Sequence, residues 1–288
     1  MDINTFGIIG GDKRQIAMAE SICADGYSVY VAAFQKVNFY SGVTKVGIDE
    51  LVGKSDYIIL PLPVTKDMVT LNAPFSSTKV ILDDNFARLL EGKKVFCGMA
   101  SKLKKTSELW EKAEILDYAE REDFNVKNAV PTAEGAIEIA MREYPGTVNG
   151  ARCLVVGFGR IGKVLSSALK GLGADVTVTA RKSKDLTWIE LLGYKALNTS
   201  KIYTTKDYDL VFNTVPNLIF DAHTLALSCV GSTIIDLASL PGGVDFDAAQ
   251  RLGIKSIQAL SLPGKVAPKA AGEIIKSTIY NMIEEDNV

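Results

Sequence analysis

The sequence predicts an α/β chain of two doubly wound parallel sheets joined by a bridging helix, on three observations. Short β-branched runs alternate with longer amphipathic segments along the chain, which is the rhythm of repeated βαβ units. That rhythm stops at one helical stretch near the middle and then restarts, so the strands fall into two series. The length of 288 residues suits two domains, each with its own apolar core, better than one.

Taken in order, the first series has expected strands at residues 6–9, 28–32, 43–46, 57–60, 79–82, 95–97 and 115–118. The second has six, at residues 152–156, 175–179, 194–197, 210–213, 233–236 and 255–259, as a doubly wound sheet requires. Between them, Pro131 and Thr132 open the bridging helix, 131–144, and Pro145-Gly146 closes it. The boundary is expected near Asp123, giving an N-terminal substrate domain of residues 1–123 and a dinucleotide-binding domain of residues 124–267. The closing segment, 268–288, is expected to be a helix that returns to the first domain.

Composition narrows the chemistry. Hydrophobic residues make up 47% and charged residues 23%, the balance of a packed globular chain and not of a disordered one. The net charge of −2, with no basic block and no acidic tail, gives no footprint for nucleic acid or a membrane surface, and leaves small-molecule chemistry. The opening residues lack a cationic n-region and no apolar run approaches a membrane span, so a cytoplasmic protein is expected. Cys23, Cys97, Cys153 and Cys229 are widely spaced with no CxxC pair, which reads as buried thiols with no metal site. His223 is the only histidine and lies in an apolar stretch, so it reads as structural, and any mechanism needing two imidazoles is excluded. Acid-base work falls to Lys, Asp, Glu, Tyr, Ser or water.

The sharpest motif is Gly157-Phe158-Gly159-Arg160-Ile161-Gly162, preceded by a strand and followed by a helix with Leu165, Leu169 and Leu172 on one face. Gly157 allows the tight turn, Gly159 lets backbone approach a pyrophosphate, and Gly162 lets the helix lie against the sheet. The pyrophosphate then meets the positive end of the helix dipole. The next strand ends Thr179-Ala180-Arg181-Lys182-Ser183, where an NAD site normally places a carboxylate. A cationic pair and a hydroxyl suit a 2′-phosphate instead, so the expected cofactor is NADP(H). Asp175 does not restore the NAD reading, because it lies at the strand's beginning. Asn213-Thr214-Val215-Pro216, and Leu237 and Ala238 after Asp236, fall where the chain lines a bound dinucleotide, although both are equally ordinary strand-ending turns.

Three segments point to the substrate, expected at the carboxyl ends of the strands. In Gly10-Gly11-Asp12-Lys13-Arg14, Asp12 is an N-cap, while Lys13 and Arg14 oppose the helix dipole unless an anion binds there. Solvated side chains explain those cations equally well. At Pro131-Thr132-Ala133-Glu134-Gly135, Thr132 would cap a helix whose amides, with those of Ala133 and Gly135, receive a carboxylate, and Glu134 would accept a proton. A cap with an acidic first turn is the plainer account. In the loop Ser261-Leu262-Pro263-Gly264-Lys265-Val266-Ala267-Pro268, Lys265 is held between prolines where it can meet an anion, or simply water. The candidate proton acceptors are Glu134, Lys265 and Asp12, with water as a fourth.

At these residues the chain resembles the A subunit of bacterial dipicolinate synthase over nearly its full length. The matching stretches are IIGGDKRQ, NAVPTAEGAIEIAM, VVGFGRIG, NTVP and SLPGKVAPKAAG, and the GGDKRQ, PTAEGAI and LPGKVAP segments are the specific ones. The resemblance implies an NADP-dependent enzyme of the mother cell of sporulating bacteria, working with a flavoprotein-like B subunit. It further implies that 4-hydroxy-tetrahydrodipicolinate is dehydrated and oxidised to pyridine-2,6-dicarboxylate, a product stored with calcium in spores. Two carboxylates on the substrate would suit the cationic and helix-terminal docks above. Two other readings stand beside it: a shikimate-dehydrogenase-like NADP enzyme of a small hydroxy acid, and a cofactor-binding polypeptide inactive without its partner. A homo-oligomer is left open.

Overall fold

The computed structural model describes residues 5–40 and 42–286. They form two compact units, one comprising the chain up to Lys127 together with the segment from Ala267 onward, the other Asn128–Val266. The division falls about one helical turn beyond Asp123.

The N-terminal unit carries β1 (Thr5–Ile9), α1 (Lys13–Ala24), β2 (Ser28–Ala32), β3 (Val43–Lys45), α2 (Ile48–Lys54), β4 (Tyr57–Ile59), α3 (Asp84–Leu89), β5 (Lys94–Cys97), α4 (Ala100–Lys104) and β6 (Glu114–Asp117). Helix α5 (Glu122–Glu143) runs through the division. The C-terminal unit continues with β7 (Arg152–Val156), α6 (Arg160–Gly171), β8 (Asp175–Ala180), α7 (Ser183–Leu191), β9 (Lys195–Asn198) and β10 (Leu210–Asn213). Then come α8 (Ala222–Ser228), β11 (Thr233–Asp236), α9 (Phe246–Arg251), β12 (Lys255–Gln258) and α10 (Leu262–Val266). Helix α11 (Pro268–Asp286) belongs to the N-terminal unit, where Ala271, Ile275 and Ile279 are buried and it packs on α1.

The two sheets run β3-β2-β1-β4-β5-β6 and β12-β11-β10-β7-β8-β9. Each is the 3-2-1-4-5-6 order of a doubly wound fold, with every pairing parallel. Each sheet has a buried core on both faces, so the central strands are largely apolar. In β7, Cys153 and Val155 enter one core and Leu154 and Val156 the other, as a side-chain period of two demands. Among the described residues no helix is long and apolar enough to cross a membrane.

Three expectations are corrected. Residues 79–82 are not a strand: only an isolated bridge joins Ile81 to Thr70, and the ladder continues from β4 directly to β5. The bridging helix starts at Glu122, not at Pro131, so Pro131 is inside it. The acidic pair Glu122 and Asp123 favours that earlier start, and the proline removes the N–H that would have met the Lys127 carbonyl and sets its ring against that carbonyl. Residues 262–266 form a short helix, not a loop.

Candidate nucleotide crevice and its surroundings

The second sheet ends in a polar row. Register places Thr179, Val156, Asn213 and Asp236 side by side at the carboxyl ends of β8, β7, β10 and β11. Thr179, Asn213 and Asp236 are fully buried. Their polar atoms therefore need partners, and they find them in the loops just beyond. Gly157 N donates to Thr179 Oγ1 at 3.3 Å. Asn213 accepts from Val215 N at 3.1 Å and donates to the Val215 carbonyl at 3.0 Å and to Asp236 Oδ1 at 2.8 Å. Asp236 also accepts from Ala238 N at 3.1 Å and Gly243 N at 2.9 Å. The row braces the loops, and the loops make the wall.

That wall encloses about 570 Å³, lined by Gly157, Phe158 and Gly159, by Arg181, Lys182 and Asp185, and by residues 214–217 and Ile219. It lies at the point where the strand order reverses between β7 and β10, the usual place for a dinucleotide in this fold. An adjoining pocket of about 330 Å³ shares Arg181, Thr199 and Ile219 with it.

The three glycines have separable tasks. Gly157 has φ of +101°, and a Cβ on it would lie 2.5 Å from Thr214 Oγ1. A Cβ on Gly162 would lie 2.0 Å from the Gly157 carbonyl oxygen, so the first turn of α6 rests directly on the strand exit. A Cβ on Gly159 would meet nothing within 4 Å. Gly159 is the N-cap of α6 and no side chain caps that end, which leaves amides and a helix dipole facing the crevice. Leu165 and Leu169 anchor α6 in the core, while Leu172 is 38% exposed at its C-cap. Phe158 lies under the Lys163 ammonium, 5.2 Å from ring centre to nitrogen. This arrangement fits a pyrophosphate-linked dinucleotide: a glycine with open space beside an uncapped helix start, and cations at the end of the second strand.

Other expected residues are placed differently. Leu237 and Ala238 are buried, and the Asn213 side chain is turned into the loop, so these three support the wall and do not line it. Ser183 opens α7 and is exposed, as are Arg181 and Lys182. Arg160 is exposed at the first position of α6, and Ile161 is half-buried.

In the N-terminal unit, Asp12 caps α1 in a reciprocal arrangement with Gln15. Arg14 is 7% exposed, and its Nε and Nη2 donate to the two Asp12 carboxylate oxygens at 3.0 and 2.8 Å. Nη2 also donates to the Leu62 carbonyl. Arg14 is thus an internal strut, not a solvent-facing anion dock, and Asp12 is occupied as both cap and ion pair. Lys13 is exposed. A cavity of about 400 Å³ between the loops after β2 and β4 carries Lys36, Lys66 and Lys79, cations that no sequence motif had marked.

Thr132 does not cap a helix. Its hydroxyl donates back to the Asn128 carbonyl at 2.7 Å inside α5, so it offers no carboxylate dock, and Ala133 and Gly135 are buried there. Gly135 instead marks a close contact with α10, since a Cβ on it would lie 3.1 Å from both Leu262 Cβ and Val266 Cγ2. Glu134 and Lys265 are each one residue from that contact, and both are exposed.

Three of the four thiols are buried as expected and unsuited to nucleophilic work, while Cys23 is only half-buried, not buried. Burial pushes Cys153 and Cys229 up to about 12, and raises Cys97 as well. His223 is exposed on α8 beside the Tyr203 ring. Among the described residues no cluster of His, Cys, Asp and Glu could hold a metal ion.

Fold and crevice together define a two-unit Rossmann-type protein whose second unit carries the dinucleotide-type crevice. A family model described as the N-terminal domain of the dipicolinate synthase A subunit matches residues 5–118. The dipicolinate synthase A subunit of Bacillus subtilis (strain 168) is 32% identical over 284 residues, covering 97% of this chain and 96% of that one. The chain belongs to the family of dipicolinate synthase A subunits. The crystal structure of the family member from Bacillus halodurans superposes with a TM-score of 0.86 at 32% identity, covering 97% of each chain. A transhydrogenase from Sinorhizobium meliloti, 15% identical with a TM-score of 0.68 over 97% of this chain and 93% of its own, shares the fold.

Proposed function

We propose that this chain is the NADP(H)-binding component of a dipicolinate synthase, acting on 4-hydroxy-tetrahydrodipicolinate. The observation that carries the cofactor reading is the lining of the crevice by Arg181 and Lys182 at the end of β8, where an NAD site would have its carboxylate. Arg181 offers a planar set of donors to a 2′-phosphate, and Ser183 and Lys182 add to it. Gly157, Gly159 and the start of α6 hold the pyrophosphate, with Thr214, Val215 and Pro216 along the opposite wall.

The substrate reading rests on family membership. The overall change is loss of water from the hydroxylated ring, then loss of a hydride and a proton to give the aromatic dicarboxylate. The cofactor, when bound, supplies the hydride acceptor. Glu134, flanking the α5–α10 contact, is the proton acceptor in this reading, and Lys265 on the other side of that contact pairs with a substrate carboxylate. Asp12 is the weaker candidate, since Arg14 and its own capping role already hold its oxygens. The Bacillus subtilis relative is named as an A subunit, which supports a B subunit as the partner of this chain.

The test supplies 4-hydroxy-tetrahydrodipicolinate and NADP⁺ to the chain, alone and with a B subunit, and follows NADPH and pyridine-2,6-dicarboxylate together. Equal amounts of both products are expected, with K265A raising KM and E134Q lowering kcat. Tight NADPH binding with no product in either mixture would remove the substrate and keep the crevice.

A further inference from the structure

Asp185 does not stand where a strand-end carboxylate would, because it lies in the first turn of α7. That turn folds it back onto the wall where Arg181 and Lys182 stand, and all three line the same crevice. The N-cap of α7 is Lys182, whose side chain makes no capping bond, so Asp185 is the third residue of a helix that opens directly after Arg181. Among the described residues Asp185 forms no ion pair. Asp185 N donates to the Lys182 carbonyl at 3.0 Å, which fixes the turn that carries the carboxylate. An acidic residue in a first helical turn is ordinary by itself, since it complements the helix dipole. Here the same residue also lines the crevice with the cations that would receive a 2′-phosphate.

We infer that Asp185 is a second cofactor-specificity residue, opposed to Arg181: it repels a 2′-phosphate and so narrows the preference for NADP(H) over NAD(H). This rests on the reading of the crevice as an NADP(H) site. Arg181 gains energy only when the phosphate is present, through charge-assisted bonds. Asp185 loses energy only then, by repulsion from the doubly charged ester. A ribose 2′-hydroxyl has no net charge to repel, so the carboxylate is neutral toward NAD(H). Discrimination between the two dinucleotides is the difference of these terms. The resulting protein prefers NADP(H) by less than its basic pair alone would give.

The experiment measures Kd for NADPH and for NADH by fluorescence titration on the full chain, in wild type, D185N, D185S and R181A. In both Asp185 variants NADPH is expected to bind roughly three- to tenfold more tightly, the scale of one screened charge near a phosphate, with NADH changed less than about twofold. Raising salt to about 1 M, where the Debye length falls to about 3 Å, should erase the gain. An unchanged ratio of the two Kd values in D185N and D185S overturns the inference. So does loss of NADH binding in both, which would make Asp185 a ribose-hydroxyl acceptor. If wild type binds neither dinucleotide, or R181A leaves NADPH binding intact, the reading of the crevice itself fails.

Discussion

The two units share one strand order but treat the same place in it differently. In the C-terminal unit the chain leaves β10 and reaches α8 within residues 214–221, and the switch point between β7 and β10 stays open as a crevice. In the N-terminal unit the corresponding passage, from β4 to α3, takes residues 60–83. Val64, Leu71 and Leu82 from that passage are buried in the core. A Cβ on Gly10 would lie 2.9 Å from Leu71 and 3.0 Å from Ala73, so this loop sits directly on the exit of β1, where a dinucleotide would otherwise go. Arg14 reaches the start of the same loop through the Leu62 carbonyl. Strand order locates a crevice, and the passage after the fourth strand decides whether it is filled by ligand or by the protein itself.

That contrast can be broken or sharpened by substitution. The largest effect is expected from G162A, whose Cβ would overlap the Gly157 carbonyl: the C-terminal unit should lose about 3 kcal/mol, by denaturant unfolding, along with nucleotide binding. Unchanged stability would show that α6 does not rest on the strand exit. Next is D236A, which strands the donors of Asn213, Ala238 and Gly243 and should cost about 2–3 kcal/mol. Hydrogen exchange should rise at residues 237–243 and not in the N-terminal unit. G10A places an alanine at φ of +67° against the filled switch point, and should cost about 1–2 kcal/mol without altering the Kd for NADPH. A change in that Kd would contradict the division of labour between the units. G159V is the reverse case: its Cβ meets open space in the protein, so stability should fall only by the loss of a favourable N-cap, about 1 kcal/mol, while NADPH weakens at least about tenfold, which is 1.4 kcal/mol.

The smallest effect is a pH dependence of the filling loop. The Thr70 hydroxyl and amide, the Val69 amide and the Thr65 hydroxyl all donate to Asp67 and hold it well below the usual carboxylate range. A depressed folded-state value means that the stabilisation is complete above the unfolded value of 3.8 and is lost as pH falls below it. Amide exchange at Val69 and Thr70, corrected for intrinsic rates, should therefore be constant from pH 7 to 5 and speed up on going from pH 4 to 2. A flat profile would show that Asp67 does not hold this turn.

The second unit was the more legible of the two, and the reason is physical. Its glycine turn, uncapped helix and basic strand end are local features, each written within a few adjacent residues. The filled switch point is not local. Lys79-Val80-Ile81-Leu82 has the apolar, β-branched character of a strand, but what decides its state is whether a neighbouring strand is available to pair. The sheet places β5 beside β4 and leaves Ile81 only a bridge to Thr70. Pro131 misled in a related way, because proline favours a first helical turn as a rule, while the turns upstream from Glu122 were stable enough to carry it inside. For Asp12 and Arg14 the sequence showed the charges but not their direction. Arg14 also donates to the Leu62 carbonyl, far along the chain. Asp185 was missed because helix geometry, not strand position, returns it to the crevice.

Helix α11 gives the molecule an unusual assembly order. It packs on α1 and supplies Ile275, Ile279 and Met282 to a core shared with Phe6 and Phe34. The ribosome makes it after the whole of residues 128–266. The unit that begins synthesis first is therefore the one completed last, and its apolar face on α1 waits uncovered while the whole of residues 128–266 is made. Domains emerging during translation ordinarily fold from the N-terminus onward. A released chain truncated just before Pro268 should therefore contain a formed C-terminal unit and an N-terminal unit that lacks the helix covering α1, the state in which this protein is most exposed to chaperones and proteases.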